Sequence, residues 1–204
     1  MSTPPPEQRS PFATLRRFVR ESAPVEHCDM CGADLAPQHQ HLIEPASRQM
    51  LCSCDACTIL FSGQGSAKYR RVPRRICLLP DFRITDAQWD SLLIPIGLAF
   101  FFYSTPAGRV IAFYPGPAGA TESLLDLAGW DDLVQHNPIL ASLEPDVEAL
   151  LVNRVGRRRE YYVAPIDECY MLVGLIRTAW RGLSGGSEVW EEIDRFFASL
   201  KERS

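Results

Sequence analysis

The sequence predicts an α+β protein: a small zinc-ribbon-like metal knuckle module followed by a domain of antiparallel hairpins and helices. Three observations carry that prediction. Two Cys-x-x-Cys pairs, Cys28/Cys31 and Cys54/Cys57, stand about twenty residues apart. Beyond them, apolar β-rich runs come in pairs separated by turn residues, without strand–helix alternation. The chain closes on two stretches whose apolar residues recur at three- and four-residue steps.

Taken in order, residues 1–26 read as a polar, Pro-rich tail (disordered over 1–10) and a short amphipathic helix on Phe12, Leu15, Phe18 and Val19, stopped by Pro24. Residues 27–61 are the Cys-rich metal-binding module and 62–75 a basic linker with a Gly/Ser loop at Ser62–Ser66. Residues 76–204 form the α+β domain. Ile76–Leu79 is a strand candidate. Thr85 and Gln88 have capping-box spacing, which places Trp89 and Leu92 on a short helix. Gly97–Ser104 and Arg109–Tyr114 form a hairpin through Thr105–Gly108. Short helices are expected at Thr121–Leu127 and Trp130–His136, and a second hairpin pairs Val147–Val155 with Glu160–Ala164. Asp167–Trp180 is helical. So is the last segment, capped by Ser187, with Val189, Ile193, Phe196, Phe197 and Leu200 as its core stripe.

Composition narrows the class. At 204 residues, 46% hydrophobic and 23% charged, the chain builds a core without staples, so stability alone does not explain seven cysteines. The N-terminus has no apolar signal region, and the longest apolar run, Leu92–Tyr103, is too short and too interrupted for a membrane span. The expected location is cytoplasmic. In that reducing compartment clustered cysteines point to metal or redox chemistry before disulfides. The net charge of −4 divides into +3 over residues 1–80 and −7 over the rest, which disfavours a nucleic-acid binder.

A Cys-x-x-Cys turn brings two thiolates to one side, and Gly32 lets the chain turn sharply after the second. Two pairs complete a closed tetrahedron, so Cys28, Cys31, Cys54 and Cys57 are the expected metal ligands, with zinc ahead of iron or an iron–sulfur cluster. Cys52 can replace Cys54 in an extended segment; otherwise it is a packed thiol or supports a ligand. His39 and His41 share a face if extended and can hold a second metal or substitute for a cysteine, although a polar loop beside Gln38 and Gln40 is the preferred reading. The basic run Lys68–Arg75, with Arg154 and Arg157–Arg159, is a nucleic-acid face, a contact for an acidic protein partner or, as preferred, a solvated linker and hairpin tip. Asp167, Tyr170, Gly174, Arg177 and Arg181 follow helical steps and line one face, most simply a solvated one. No motif supports an enzyme. His136 stands alone, and Cys77 and Cys169 sit in apolar runs.

One set of motifs is specific together: Cys28-x-x-Cys31-Gly32, His39-x-His41-Leu42, Cys52-x-Cys54-x-x-Cys57, Leu79-Pro80-Asp81-Phe82 and Gly97-Leu98-Ala99-Phe100-Phe101. It continues with Gly119-Ala120-Thr121-Glu122-Ser123, Glu144-Pro145-Asp146-Val147-Glu148 and Pro165-Ile166-Asp167-Glu168-Cys169-Tyr170. From about Leu15 onward the chain resembles a bacterial family of unknown function associated with nickel–iron hydrogenase gene clusters. The resemblance implies a role in maturation, assembly or electron supply of such an enzyme, with a hydrogenase component as protein partner. The expected function is a metal-binding accessory or docking protein with a structural zinc. A small redox carrier with iron at the same cysteines is the alternative, and a nucleic-acid module the third.

Overall fold

Leu98–Phe102 is unbroken apolar sequence because the strand it forms is covered on both faces. In the computed structural model, which describes residues 25–63, 68–123, 129–182 and 185–204, that strand sits inside a six-stranded antiparallel sheet. The strands are β4 (Cys77–Leu78), β5 (Leu98–Ser104), β6 (Arg109–Gly116), β7 (Gly119–Glu122), β8 (Glu148–Asn153) and β9 (Glu160–Pro165), in the order β4-β9-β8-β5-β6-β7. A second sheet of three strands carries β1 (Gln40–Glu44), β2 (Gln49–Ser53) and β3 (Arg70–Arg71), with β1 in the middle.

Alternate residues of β5 and β8 enter two cores. Leu98, Phe100, Phe102, Ala149 and Leu151 face one side, where helices α4 (Ile166–Ala179) and α5 (Gly186–Glu202) supply Cys169, Leu172, Ile176, Ile193 and Phe197. Ala99, Phe101, Leu150 and Val152 face the other side. It is closed by α2 (Asp86–Ser91), α3 (Trp130–His136) and a 3₁₀ turn at Pro138–Ser142. The capping box on α2 is formed: Thr85 Oγ1 accepts from Gln88 N while the Gln88 side chain accepts from Thr85 N. Gly97 is required by close approach, since a Cβ there would stand 2.7 Å from the Arg154 carbonyl oxygen.

The tail at 1–10 and the helix expected over Phe12–Arg20 lie outside the described residues, as do Gln64–Ser66 and most of Thr121–Leu127. Thr121 and Glu122 themselves belong to β7, pairing with Tyr114 and Phe113, because the turn after Gly116 folds the chain back as a strand. Ser187 is not a cap. Helix α5 starts at Gly186, and Gly185, at φ +87°, makes the entry that only a glycine makes easily.

The stretch between the cysteine pairs is folded and contributes to the main core. It is the β1–β2 hairpin, and Leu42 and Ile43 are both fully buried, Ile43 within the same core as α4 and α5. The basic stretch that follows is also structured. Arg70 and Arg71 form β3 against β1, and Val72 enters that core beside Ile43.

Candidate metal centres

The first cysteine pair lies on a tight knuckle. Cys28 N donates to Ala33 O and Gly32 N to Cys28 O, both at 2.8 Å, and Gly32 takes φ +75° to complete the turn. The second pair lies elsewhere in kind. Cys54 is the N-cap of α1 (Asp55–Phe61), its Sγ accepting from Cys57 N at 3.5 Å, so the pair opens a helix instead of forming a second hairpin knuckle. Asp29 N donates to Cys52 O at 2.9 Å and Cys52 N to Asp29 Oδ2 at 2.6 Å, which ties the knuckle to the end of β2.

These elements bring Cys28, Cys31, Cys54 and Cys57 together, with all four sulfurs within 4.8 Å of one another. Cys31 Sγ and Cys54 Sγ are 3.8 Å apart. A tetrahedron of thiolates about 2.3 Å from a central zinc has an edge of about 3.8 Å, so this sulfur set fits such an ion. Cys28 and Cys57 are buried, Cys54 half-buried and Cys31 exposed. Burial pushes the Cys28 thiol up, but backbone N–H groups of Cys54, Met30 and Cys31 and the Cys31 thiol outweigh it and bring Cys28 down to about 6. Cys57 is pushed up to about 12, first by burial and then by hydrogen bonds with the Cys31, Cys54 and Cys28 thiols. All seven cysteines are free thiols.

Cys52 stands outside this group. It pairs across the hairpin with His41, and with His39 and His41 it forms a second cluster whose potential ligand atoms lie within 4.8 Å of one another. Burial, then the charges of Asp29, Glu26 and Cys28, raise its thiol above the ordinary value. His39 and His41 are therefore not on a solvated loop: His41 is in β1, and the His39 side chain is only 8% exposed.

Asp167 was legible only as part of a helix face. Its role appears in three dimensions, where Oδ2 accepts from His41 Nδ1 at 2.7 Å across 126 residues of sequence. No local signal links them. The rest of that face divides. Tyr170 packs edge-on against Phe100, Gly174 and Arg177 are exposed, and Arg181 lies past the end of α4.

Several of the basic residues are taken up by carboxylates, while Arg71 meets the Gln40 amide oxygen and Arg74 the His39 carbonyl. Arg70 pairs with Glu144 and Asp146, Arg75 is bidentate to buried Glu148, and Lys68 meets Glu44. Arg154 is buried, lies over the Trp89 ring and pairs with Asp86, and Arg158 pairs with Asp194. Cys77 is exposed at the edge strand β4, and Cys169 is fully buried. Among the described residues no helix is long and apolar enough to cross a membrane.

No curated protein and no solved structure matches this chain. A protein-family model described as "Family of unknown function (DUF5947)" matches residues 27–204, from the residue before the first cysteine to the C-terminus. The chain belongs to that family.

Proposed function

We propose that the chain is a non-catalytic accessory or docking protein whose cysteines Cys28, Cys31, Cys54 and Cys57 hold one structural zinc ion. The observation that carries this reading is the convergence of four thiols from a knuckle and a helix start, with sulfur spacing suited to a closed tetrahedron. Zinc is preferred to iron because the two fit such a set equally well and zinc is the commoner occupant.

Docking has its own support. Helix α1, which begins at the sulfur cluster, exposes Ile59 (75%), Leu60 (74%) and Phe61 (41%) in succession. Contiguous exposed apolar residues mark interaction surfaces more often than solvent faces. The arginines that a phosphate-binding face would need are largely engaged by carboxylates, which weighs against nucleic acid. Placement beside a nickel–iron hydrogenase rests on the family resemblance alone.

Metal analysis of the purified protein with an absorption spectrum tests the ion. Colourless, zinc-loaded protein supports the reading, whereas stoichiometric iron with visible absorption replaces it with the redox carrier. Co-purification from the native host tests the role. Recovery of hydrogenase components that is lost in an Ile59→Ser/Leu60→Ser variant supports docking. Submicromolar, salt-sensitive binding of DNA or RNA overturns it.

A further inference from the structure

We propose that His39, His41 and Cys52 form a second metal site, separate from the four-cysteine centre and open at one coordination position, for a late first-row divalent ion.

The argument begins with the strand. His41 and Cys52 are directly opposed across the β1–β2 pair, so their side chains emerge on one face. His39, two residues earlier, joins them, with its ring centroid 4.8 Å from that of His41. Hydrogen bonds then assign the protons. His39 Nδ1 donates to Ala36 O at 3.0 Å, and His41 Nδ1 donates to Asp167 Oδ2 at 2.7 Å. In both rings the lone pair is therefore left on Nε2.

His39 Nε2 is buried and has no hydrogen-bond partner among the described residues, on a side chain more than nine-tenths buried. A buried nitrogen left unpaired carries an uncompensated desolvation penalty. Two imidazole lone pairs and a sulfur converging without a strong donor between them repel one another. A cation removes both penalties.

The surroundings suit a cation. Asp167 fixes the tautomer and tilt of His41, as carboxylates do behind metal-bound histidines. Glu26 Oε2 is 3.5 Å from His39 Nδ1, and Asp29 holds the Cys52 backbone. Two imidazoles and a thiolate are a borderline-soft donor set, which selects zinc-like ions over magnesium or calcium. Three protein ligands leave a fourth position for water or another ligand, unlike the closed sulfur centre. His39 and His41 also line a cavity of about 390 Å³ together with Arg74, Asp167 and Met171, on the side of the carboxylate that holds His41 Nδ1.

The full-length protein, first saturated with one equivalent of zinc, is titrated with Co²⁺ and then separately with further Zn²⁺. Long-range ¹⁵N NMR follows the histidine ring nitrogens. The expected result is a second equivalent bound, with the Nε2 signals of His39 and His41 shifted to metal-bound values and both Nδ1 signals still protonated. Single changes His39→Gln and Cys52→Ser should abolish the second equivalent while the first is retained. Asp167→Asn should weaken it 10–100-fold. Wild-type protein that binds one equivalent only, or rings whose Nε2 signals do not move as metal is added, would overturn the proposal without reference to any variant. So would a second equivalent that survives both ligand changes. Since the first equivalent is read separately, loss of the second site leaves the four-cysteine reading standing, and the reverse holds too.

Discussion

The β1–β2 hairpin is held in two different ways at its two ends. Toward its turn, Leu42 and Ile43 are buried and Val72 of the following segment packs beside Ile43 in the main core. Toward its open end, the knuckle and helix α1 contribute mainly thiols, local turns and the exposed Ile59–Phe61 surface. The first end draws its stability from area removed from water. The second has little such area, and on the proposed reading a metal–thiolate centre fixes it. The middle of the Cys-rich segment thus belongs to the large core, and its flanks, on that reading, to the ion.

Metal removal is the strongest way to separate the two ends. Structural zinc contributes an apparent ~10–16 kcal/mol in small zinc modules, so its loss dominates local stability. Chelation should expose the amides of residues 26–35 and 54–62 to hydrogen exchange and leave 40–44 and 49–53 protected. Loss of protection over the hairpin as well would break the distinction. The same titration has a proton count. Near pH 7.5 Cys28 has already lost its proton, while Cys57 still holds one. Loading zinc into the metal-free protein should therefore release at most three protons, four thiols less one. Below about pH 6 Cys28 is protonated too, so one further proton is released, and affinity falls because protons compete for the ligands.

Side-chain truncation gives the next largest effect. Ile43→Ala should destabilise the whole protein by about 2–5 kcal/mol, despite its position between cysteine pairs. Ile59→Ala, seven residues past Cys52 and three-quarters exposed, should stay within about 0.5 kcal/mol. Global denaturation followed by the tryptophans compares the two, and equal effects would show that the hairpin is not part of the main core.

The smallest effect concerns a polar group inside that core. Tyr162 is fully buried, its hydroxyl has no partner among the described residues, and burial followed by the charge of Glu160 pushes it up to about 12. Tyr162→Phe should leave stability unchanged or raise it by about 1 kcal/mol, because an unpaired buried hydroxyl costs more than it contributes. A clear loss in a denaturation midpoint would mean that the hydroxyl has a partner.

How far the sequence revealed this arrangement follows the range of the forces involved. Short-range signals carried well: the Thr85–Gln88 cap, the Thr105–Gly108 turn and the 3.6-residue stripe from Val189 to Leu200 all specify their own elements. Two misreadings came from chemistry that masks pattern. The cysteines of Cys54–Cys57 hid a helix start, since Cys54 caps α1 through its own sulfur. The polar residues around Leu42 and Ile43 hid a hairpin whose apolar content is small but whose Leu42 and Ile43 are fully buried. The four-cysteine group could be read from spacing, whereas the His41–Asp167 contact could not, because 126 residues separate two groups with no shared local pattern.

X-ray absorption at the zinc edge, on the Cys52→Ser variant that keeps only the four-cysteine centre, tests the central claim most directly. The account predicts one zinc per chain with four sulfur neighbours at about 2.3 Å and no visible colour. A shell containing nitrogen or oxygen, or iron in place of zinc, would contradict it.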